Sequence, residues 1–185
     1  EVFNTLNTGN NLVPKALKEV TENNSYKDLY FFFFLKTGLK KRAADNDVIE
    51  KNYVYFDFDI RKYLETKEKN IFNQEIKNEI DRIRKCLDAD ERFKDYGALV
   101  FTGNGLHVYY FSKVINTEEK KDIYSKGYNE ISKILKELTG VDVDLKCKNI
   151  ARIARVPTSF NNKKFEHKNG EVEKLHIQSE FIYFN

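Results

Sequence analysis

"YVYFDFDI", Tyr53 to Ile60, decides the fold, because it sets two aspartates one residue apart inside a run of strand-forming aromatic and β-branched residues. In an extended strand successive side chains point to opposite faces. Tyr53, Tyr55, Asp57 and Asp59 therefore share one side, and Val54, Phe56, Phe58 and Ile60 the other. The two carboxylates point the same way, about 7 Å apart. Like charges on a half-buried face repel and resist desolvation unless a cation or a strong donor compensates. Two readings follow: a divalent metal site, or a strand end whose carboxylates face water.

The segments around this strand supply the rest of an α+β sandwich. Upstream, "LYFFFFL" (Leu29 to Leu35) lacks alternation and reads as a strand buried on both faces, while "LVPKALKEV" places Leu12, Ala16 and Val20 at helical spacing. Downstream, Phe72, Ile76, Ile80, Ile83 and Leu87 step by four, four, three and four, which predicts an amphipathic helix from Ile71 to Leu87. "YGALVFTGNGLHVYYF" has two apolar runs around Gly103-Asn104-Gly105 and predicts a hairpin. Asn116 with Glu119 predicts the cap of a second helix, which carries Tyr124, Tyr128, Ile131, Leu135 and Leu138 and stops at Gly140. Short strands are expected in "VDVDL", "ARIARVP" and "KLHIQSEFIYF".

The 185 residues suit one domain or two small modules sharing a core, and the second arrangement is the expectation here. A formal net charge of +3 neither demands nor excludes nucleic acid, so any phosphate-binding surface must come from local clustering of Lys and Arg. Cys86 and Cys147 lie far apart, without the spacing of a zinc knuckle or a disulfide framework, and read as reduced, partly buried thiols. No apolar run reaches the roughly 18–20 residues of a membrane span, and no signal peptide opens the chain. A cytoplasmic protein without membrane association is expected. The absence of any methionine suggests a domain excised from a larger protein.

Two further stretches could carry chemistry. In "TGNGLH" (Thr102 to His107), Gly103 and Gly105 allow a tight turn that brings amides close to an anion, and Thr102 and His107 can donate to phosphate oxygens. The same residues also suit a plain hairpin turn. In "VDVDLKCKNIARIARVPTSFNNK" (Val141 to Lys163), Asp142 and Asp144 repeat the strand-spaced pair. Lys146, Lys148, Arg152, Arg155, Lys163 and Lys164 concentrate positive charge beside them, which is either a solvated surface or a phosphate-binding one. Because Arg152 and Arg155 alternate with Ile153 and Val156, they are tied to a packed scaffold, and fixed guanidinium groups suit phosphate recognition.

Taken in order, the three stretches resemble the motifs of the archaeo-eukaryotic primase superfamily, within it the primase-polymerase (Prim-Pol) branch of plasmids, phages and mobile elements. Asp57-Phe58-Asp59 is similar to its first motif, and Thr102, Gly103, Gly105 and His107 to its second. Val143-Asp144 followed by Arg152, Arg155, Pro157, Asn161 and Lys163 is similar to its third. The resemblance spans Tyr53 to Lys163, with two departures: Thr158-Ser159 stands for the family's Gly-Thr, and Thr102 for a serine. The zinc element of archaeal replicative primases is missing.

The resemblance implies a DNA-dependent nucleotidyltransferase, a primase, a DNA polymerase or both, forming a single catalytic domain over 1–185. It further implies a small N-terminal α/β module (about 1–65) packed on a mixed sheet like that of an RNA-recognition motif (about 66–185), with the catalytic cleft between them. Asp57, Asp59 and Asp144, with Asp142 as the alternative third ligand, would be catalytic and hold two Mg²⁺ or Mn²⁺ ions. Asp144 is preferred to Asp142 because eight residues separate it from Arg152. Thr102, Gly103, Gly105, His107, Arg152, Arg155 and Lys163 would bind the incoming nucleotide, and Lys41, Arg42, Lys146, Lys148 and Lys164 the nucleic acid. The implied partners are a single-stranded DNA template with its primer, dNTPs or NTPs, and a fused or associated helicase or CRISPR adaptation protein.

Three other functions compete. A metal-dependent glycosyltransferase also uses a D-x-D, but it does not account for "TGNGLH" or the arginine-rich stretch. A histidine-pair replication nuclease needs two histidines flanking a hydrophobic residue, and His107, His167 and His176 form no such pair. A catalytically inactive nucleic-acid-binding domain would not be expected to keep Asp57, Asp59 and Asp144.

Overall fold

A computed structural model of the chain describes residues 30–31, 34–35, 44–60, 74–155, 157, 159–162, 164–166, 172–174 and 177–184. The architecture is α+β, built on an antiparallel sheet. Its longest strand, β3 (Val48–Phe58), carries the D-x-D. It is followed by helix α1 (Gln74–Ala89), the hairpin β4 (Ala98–Phe101) and β5 (Leu106–Ile115), and helix α2 (Glu118–Thr139). Short strands precede β3, namely β1 (Tyr30–Phe31) and β2 (Phe34–Leu35). Six come after α2: β6 (Ala154–Arg155), β7 (Phe160–Asn161), β8 (Lys164–Glu166), β9 (Val172–Lys174), β10 (Ile177–Gln178) and β11 (Glu180–Phe184).

The main sheet runs β11-β4-β5-β3-β2, four substantial strands and the two-residue β2 at the edge. Because β5 pairs antiparallel with both β3 and β4, the unit β3-α1-β4-β5 is a split βαβ motif. The register sets Asp57 opposite His107 and Phe56 opposite Val108. Alternation then divides the sheet into two chemically different faces.

One face packs on the helices. Phe56 stacks on Tyr128 of α2 at 4.9 Å between ring centroids, and Phe58, Leu99, Leu106 and Val108 are fully buried. Helix α1 contributes Ile76, Ile80, Ile83 and Leu87, the stripe its spacing predicts, each buried and worth about 1.5–3 kcal/mol relative to exposure. Phe72 and the predicted first turn lie outside the described residues. Gly140 ends α2 in the left-handed conformation at φ 72°, its amide donating to the Lys136 carbonyl.

The other face carries Lys51, Tyr53 and Tyr55 of β3 and His107 and Tyr109 of β5. It is covered by the segment after α2. Tyr55 Oη donates to the Ile153 carbonyl at 3.0 Å, and the Ala151 amide donates to Asp45 Oδ1 at 3.0 Å. Lys51 Nζ lies 4.8 Å from the Tyr53 ring centroid and 5.3 Å from that of Tyr55, and donates to the Arg152 carbonyl at 3.4 Å.

Lys51 is fully buried, and desolvation pulls its amine down to about 7, against smaller opposing pulls from Cys147 and Asp45. The unfolded chain therefore binds more protons than the folded one between pH 7 and the ordinary lysine value of 10.5. Stability carried by this group rises with pH across that window, and the full cost of burying the charge is felt below pH 7. Lys51→Met is expected to stabilise the protein most at pH 6, with the gain over wild type shrinking towards pH 10, as urea denaturation at the two pH values would read. A gain independent of pH would show that the ammonium is not what burial opposes.

Three local expectations differ from the structure. "LYFFFFL" is not one strand: β1 pairs with β6 and β2 with β3, so the two ends of the run serve different sheets. Thr117, not Asn116, is the residue before α2: the Asn116 side chain is held against the Asp45–Asp47 turn, its Nδ2 donating to the carbonyls of Asp45 and Val48 at 2.7 and 2.8 Å. "VDVDL" forms only a single bridge at Val143 before a 3-10 turn, Leu145–Lys148. The "LVPKALKEV" helix, and the expected module boundary near 65, lie outside the described residues.

Candidate metal and nucleotide site

The site forms where the end of β3 meets the segment after α2. Phe58 bridges Val143 antiparallel, the Asp144 amide donates to the Asp57 carbonyl at 2.8 Å, and the Asp59 amide donates to the Asp142 carbonyl at 3.1 Å. This register sets Asp57 beside Asp144 and Asp59 beside Asp142. The four acids thus fall into two cross-strand pairs, and the pairs have different surroundings.

In the first pair, Asp57, Asp144 and Cys147 each bring one donor atom within 4.8 Å of the others. Asp144 also caps the 3-10 turn, accepting from the Lys146 amide at 2.9 Å. That turn has about three residues per revolution and so returns Cys147 to the side of Asp144, with Sγ 4.0 Å from Asp144 Oδ2. On β5, His107 Nε2 lies 3.4 Å from Asp57 Oδ2, and its Nδ1 is 3.0 Å from Tyr109 Oη. In the second pair, Asp142 is exposed and ion-pairs with Lys136 of α2 at 2.6 Å. Asp59, half-buried just beyond the end of β3, is not in the Asp57–Asp144–Cys147 group.

Burial governs the protonation of the neighbouring groups. It pushes the Cys147 thiol up to about 11, helped by the charge of Asp57, so the sulfur carries its proton at neutral pH. Tyr55, whose hydroxyl oxygen lies 3.5 Å from Cys147 Sγ, and Tyr109 are both held far above the ordinary phenol value, first by desolvation. Burial pulls the Arg152 guanidinium down, but Cys147, Tyr55 and Asp144 outweigh it and hold it above its ordinary value. Arg152 therefore stays a cation, half-buried near Cys147 and within electrostatic reach of Asp144.

The "TGNGLH" turn closes against the same place. Gly103 has φ 83°, the left-handed region that favours glycine, and a Cβ there would meet Ile177 at 2.8 Å. At Gly105 a Cβ would come within 2.4 Å of the Phe58 carbonyl oxygen and 3.1 Å of Asp57 Oδ1. The glycine lets the turn lie directly on the carboxylate-bearing strand end. Gly105→Ala should displace backbone there, weakening divalent-ion binding at Asp57 while the far-ultraviolet spectrum is kept. Unchanged ion affinity would mean that the strand end shifts without cost to the site.

Thr102 spends its hydroxyl inside the turn, donating to the Gly105 carbonyl and accepting from the Gly105 amide, both at 3.2 Å. Asn161, expected as part of the third motif, donates to the Thr102 carbonyl at 2.8 Å and pins the turn to β7. Arg155 is buried, and its Nη1 donates to the Phe160 carbonyl at 2.8 Å. Lys146 is exposed and Lys148 half-buried on the 3-10 turn beside Asp144. Lys41, Arg42 and Lys163, and the side chain of Lys164, lie outside the described residues.

One residue reaches the site that the sequence marked for nothing there. Cys147 read as an ordinary thiol, although its place three residues after Asp144 would have put it on the same side of a single helical turn. The chain matches no protein-family model, no curated protein and no solved structure.

The donor set can be tested against the divalent ions that the resemblance implies. Two carboxylates facing each other, with a basic side chain beside them, suit one hard divalent cation. A protonated thiol as the third member does not suit Mg²⁺, which prefers oxygen. Among the described residues the Asp57–Asp144 pair fits one such ion, and Asp59 lies outside that group.

Proposed function

We propose that the chain is the catalytic domain of a DNA-dependent nucleotidyltransferase of the primase-polymerase kind, joining nucleotides on a single-stranded template. The observation that carries this reading is the meeting of Asp57 and Asp144. They come from stretches far apart in the chain and face each other beside His107 and Arg152. A D-x-D glycosyltransferase would be expected to use Asp57 with its neighbour Asp59, whereas the group that gathers around Asp57 here draws its second carboxylate, Asp144, from the third stretch. The antiparallel sheet with its split βαβ unit supports the reading at the level of an α+β fold.

Asp57 and Asp144 would hold Mg²⁺ or Mn²⁺, with Asp59 a candidate for the second ion. When bound, such ions lower the pKa of an attacking hydroxyl and stabilise the leaving pyrophosphate. The chain's own groups then have distinct tasks. His107 orients Asp57 through Nε2, and Tyr109 holds the other ring nitrogen. Arg152 supplies a fixed cation for triphosphate oxygens, as its persistent charge and its place beside Asp144 permit. Gly103 and Gly105 let the turn approach closely enough for backbone amides to face a phosphate. Thr102 shapes that turn from within.

Arg155 and Lys163 remain candidates for nucleotide phosphates, and Lys41, Arg42, Lys146, Lys148 and Lys164 for the template backbone. A helicase or a CRISPR adaptation protein would be the partner in a larger assembly within the cytoplasm. No helix among the described residues is long and apolar enough to cross a membrane, in keeping with a DNA substrate.

The test is incubation of the purified domain with single-stranded template, labelled dNTPs or NTPs, and Mg²⁺ or Mn²⁺, with and without primer. Template-directed products are expected, and products made without primer would identify a primase. Metal-dependent binding of a nucleotide sugar, with transfer of the sugar and no template requirement, would overturn the proposal.

A further inference from the structure

We propose that Cys147 is a metal ligand, and that with Asp57 and Asp144 it makes this centre selective for borderline transition cations of the Zn²⁺ and Co²⁺ class over Mg²⁺. The inference rests on the proposed function only in taking Asp57 and Asp144 as a metal-holding pair. The sulfur adds what that reading does not contain.

Geometry supports it first. The three donor atoms lie within 4.8 Å of one another, and Cys147 Sγ is 4.0 Å from Asp144 Oδ2. Two ligands on one tetrahedral zinc, with bonds of about 2.3 Å to sulfur and 2.1 Å to oxygen, stand about 3.6 Å apart. The observed separation needs only a small turn of a side chain to meet that value. The backbone already fixes the arrangement: Asp144 is tied to Asp57 through its amide, and the 3-10 turn returns Cys147 to the same side.

Ligand chemistry supports it next. Mg²⁺ gains little from sulfur, whereas zinc and cobalt bind thiolate strongly. As the metal–sulfur bond forms, the Sγ–H bond breaks and its proton passes to solvent, with no oxidation or reduction. Tyr55 Oη lies 3.5 Å from Sγ and gives its one proton to the Ile153 carbonyl at 3.0 Å; turned to a metal-bound thiolate, that proton would hold the ligand from behind, as outer partners do at metal centres. Sulfur is buried while Asp57 and Asp144 are half-exposed, so an ion enters from the carboxylate side and meets the sulfur last.

The experiment uses chelator-treated protein titrated with Co²⁺ and followed by absorption, with Zn²⁺ and Mg²⁺ as competitors. The wild type should show a sulfur-to-cobalt charge-transfer band in the near ultraviolet, displaced by Zn²⁺ and not by comparable Mg²⁺. Cys147→Ser, which keeps Cys86, should lose the band and weaken Co²⁺ and Zn²⁺ binding by about 10–100-fold, with Mg²⁺ binding unchanged. Cys147→Ala serves as a second variant, with thermal melting to confirm that each is folded. Co²⁺ binding that depends on Asp57 and Asp144 without the band would overturn the role of Cys147 and leave the carboxylate centre standing. Failure of Co²⁺, Mn²⁺ and Mg²⁺ alike to bind the wild type would overturn both.

Discussion

Asp57→Asn and Asp144→Asn should each lower template-directed synthesis by about 10²–10³-fold or more, the scale on which one electrostatic stabiliser of a transition state acts. Asn keeps the volume of Asp, and at position 144 its side-chain oxygen can still accept from the Lys146 amide, so the turn that Asp144 caps should survive. What is lost is charge at the point where a divalent ion would be held. Asp142→Asn is the informative contrast. Asp142 is exposed and already engaged by Lys136, so its replacement should leave synthesis within about twofold, as expected of surface ion pairs of small net worth. Rates of single-nucleotide incorporation at saturating template and nucleotide would check all three. Loss of activity in Asp142→Asn with retention in Asp144→Asn would reverse the assignment drawn from the bridge between Phe58 and Val143.

Phe58→Ala is expected to destabilise the fold by about 3–5 kcal/mol, the range for truncating a fully buried aromatic side chain. Phe58 has no exposed surface and lies between the two aspartates of the first motif, with its backbone bridging Val143. The cavity would open under the bridge that sets Asp57 beside Asp144, so divalent-ion affinity should fall along with stability. Phe58→Leu, which keeps most of the volume, should cost less than about 1.5 kcal/mol and retain ion binding. Urea denaturation and metal titration on the same preparations would separate the two effects. A loss below about 1 kcal/mol for Phe58→Ala would mean that the site's strand end is not anchored in the core, against the burial seen here.

The elements themselves were largely legible because each rests on local periodicity. The spacing of Ile76, Ile80, Ile83 and Leu87 is a property of one helix face, and burial followed it. Gly103 and Gly140 marked a turn and a helix end because each takes the left-handed backbone that a turn or helix end needs. "LYFFFFL" misled for the opposite reason. A uniformly apolar run has no period to read, and whether it pairs as one strand or two depends on partners far away, β6 for one end and β3 for the other. Asn116 misled because its Nδ2 donates to the Asp45 and Val48 carbonyls, and that tertiary contact fixes the side chain away from the helix end beside it.

The sequence by itself determined which residue types were on hand: two strand-spaced acid pairs, a glycine turn ending in histidine, and an arginine-bearing stretch. It also determined that Asp57 and His107 would lie on strands, since alternation and the hairpin are local. Which acids meet was decided only by tertiary structure. Asp142 and Asp144 are alike in spacing and in their preceding valines, and a register across the Phe58–Val143 bridge assigns one to Asp57 and the other to Asp59. A shift of one residue would turn the side chains to the other face. The same bridge and the following 3-10 turn place a buried thiol against the carboxylates. The spacing of Asp144 and Cys147 is local, but their meeting with Asp57 follows from the closure of the chain against the end of β3, and no short window of sequence encodes that.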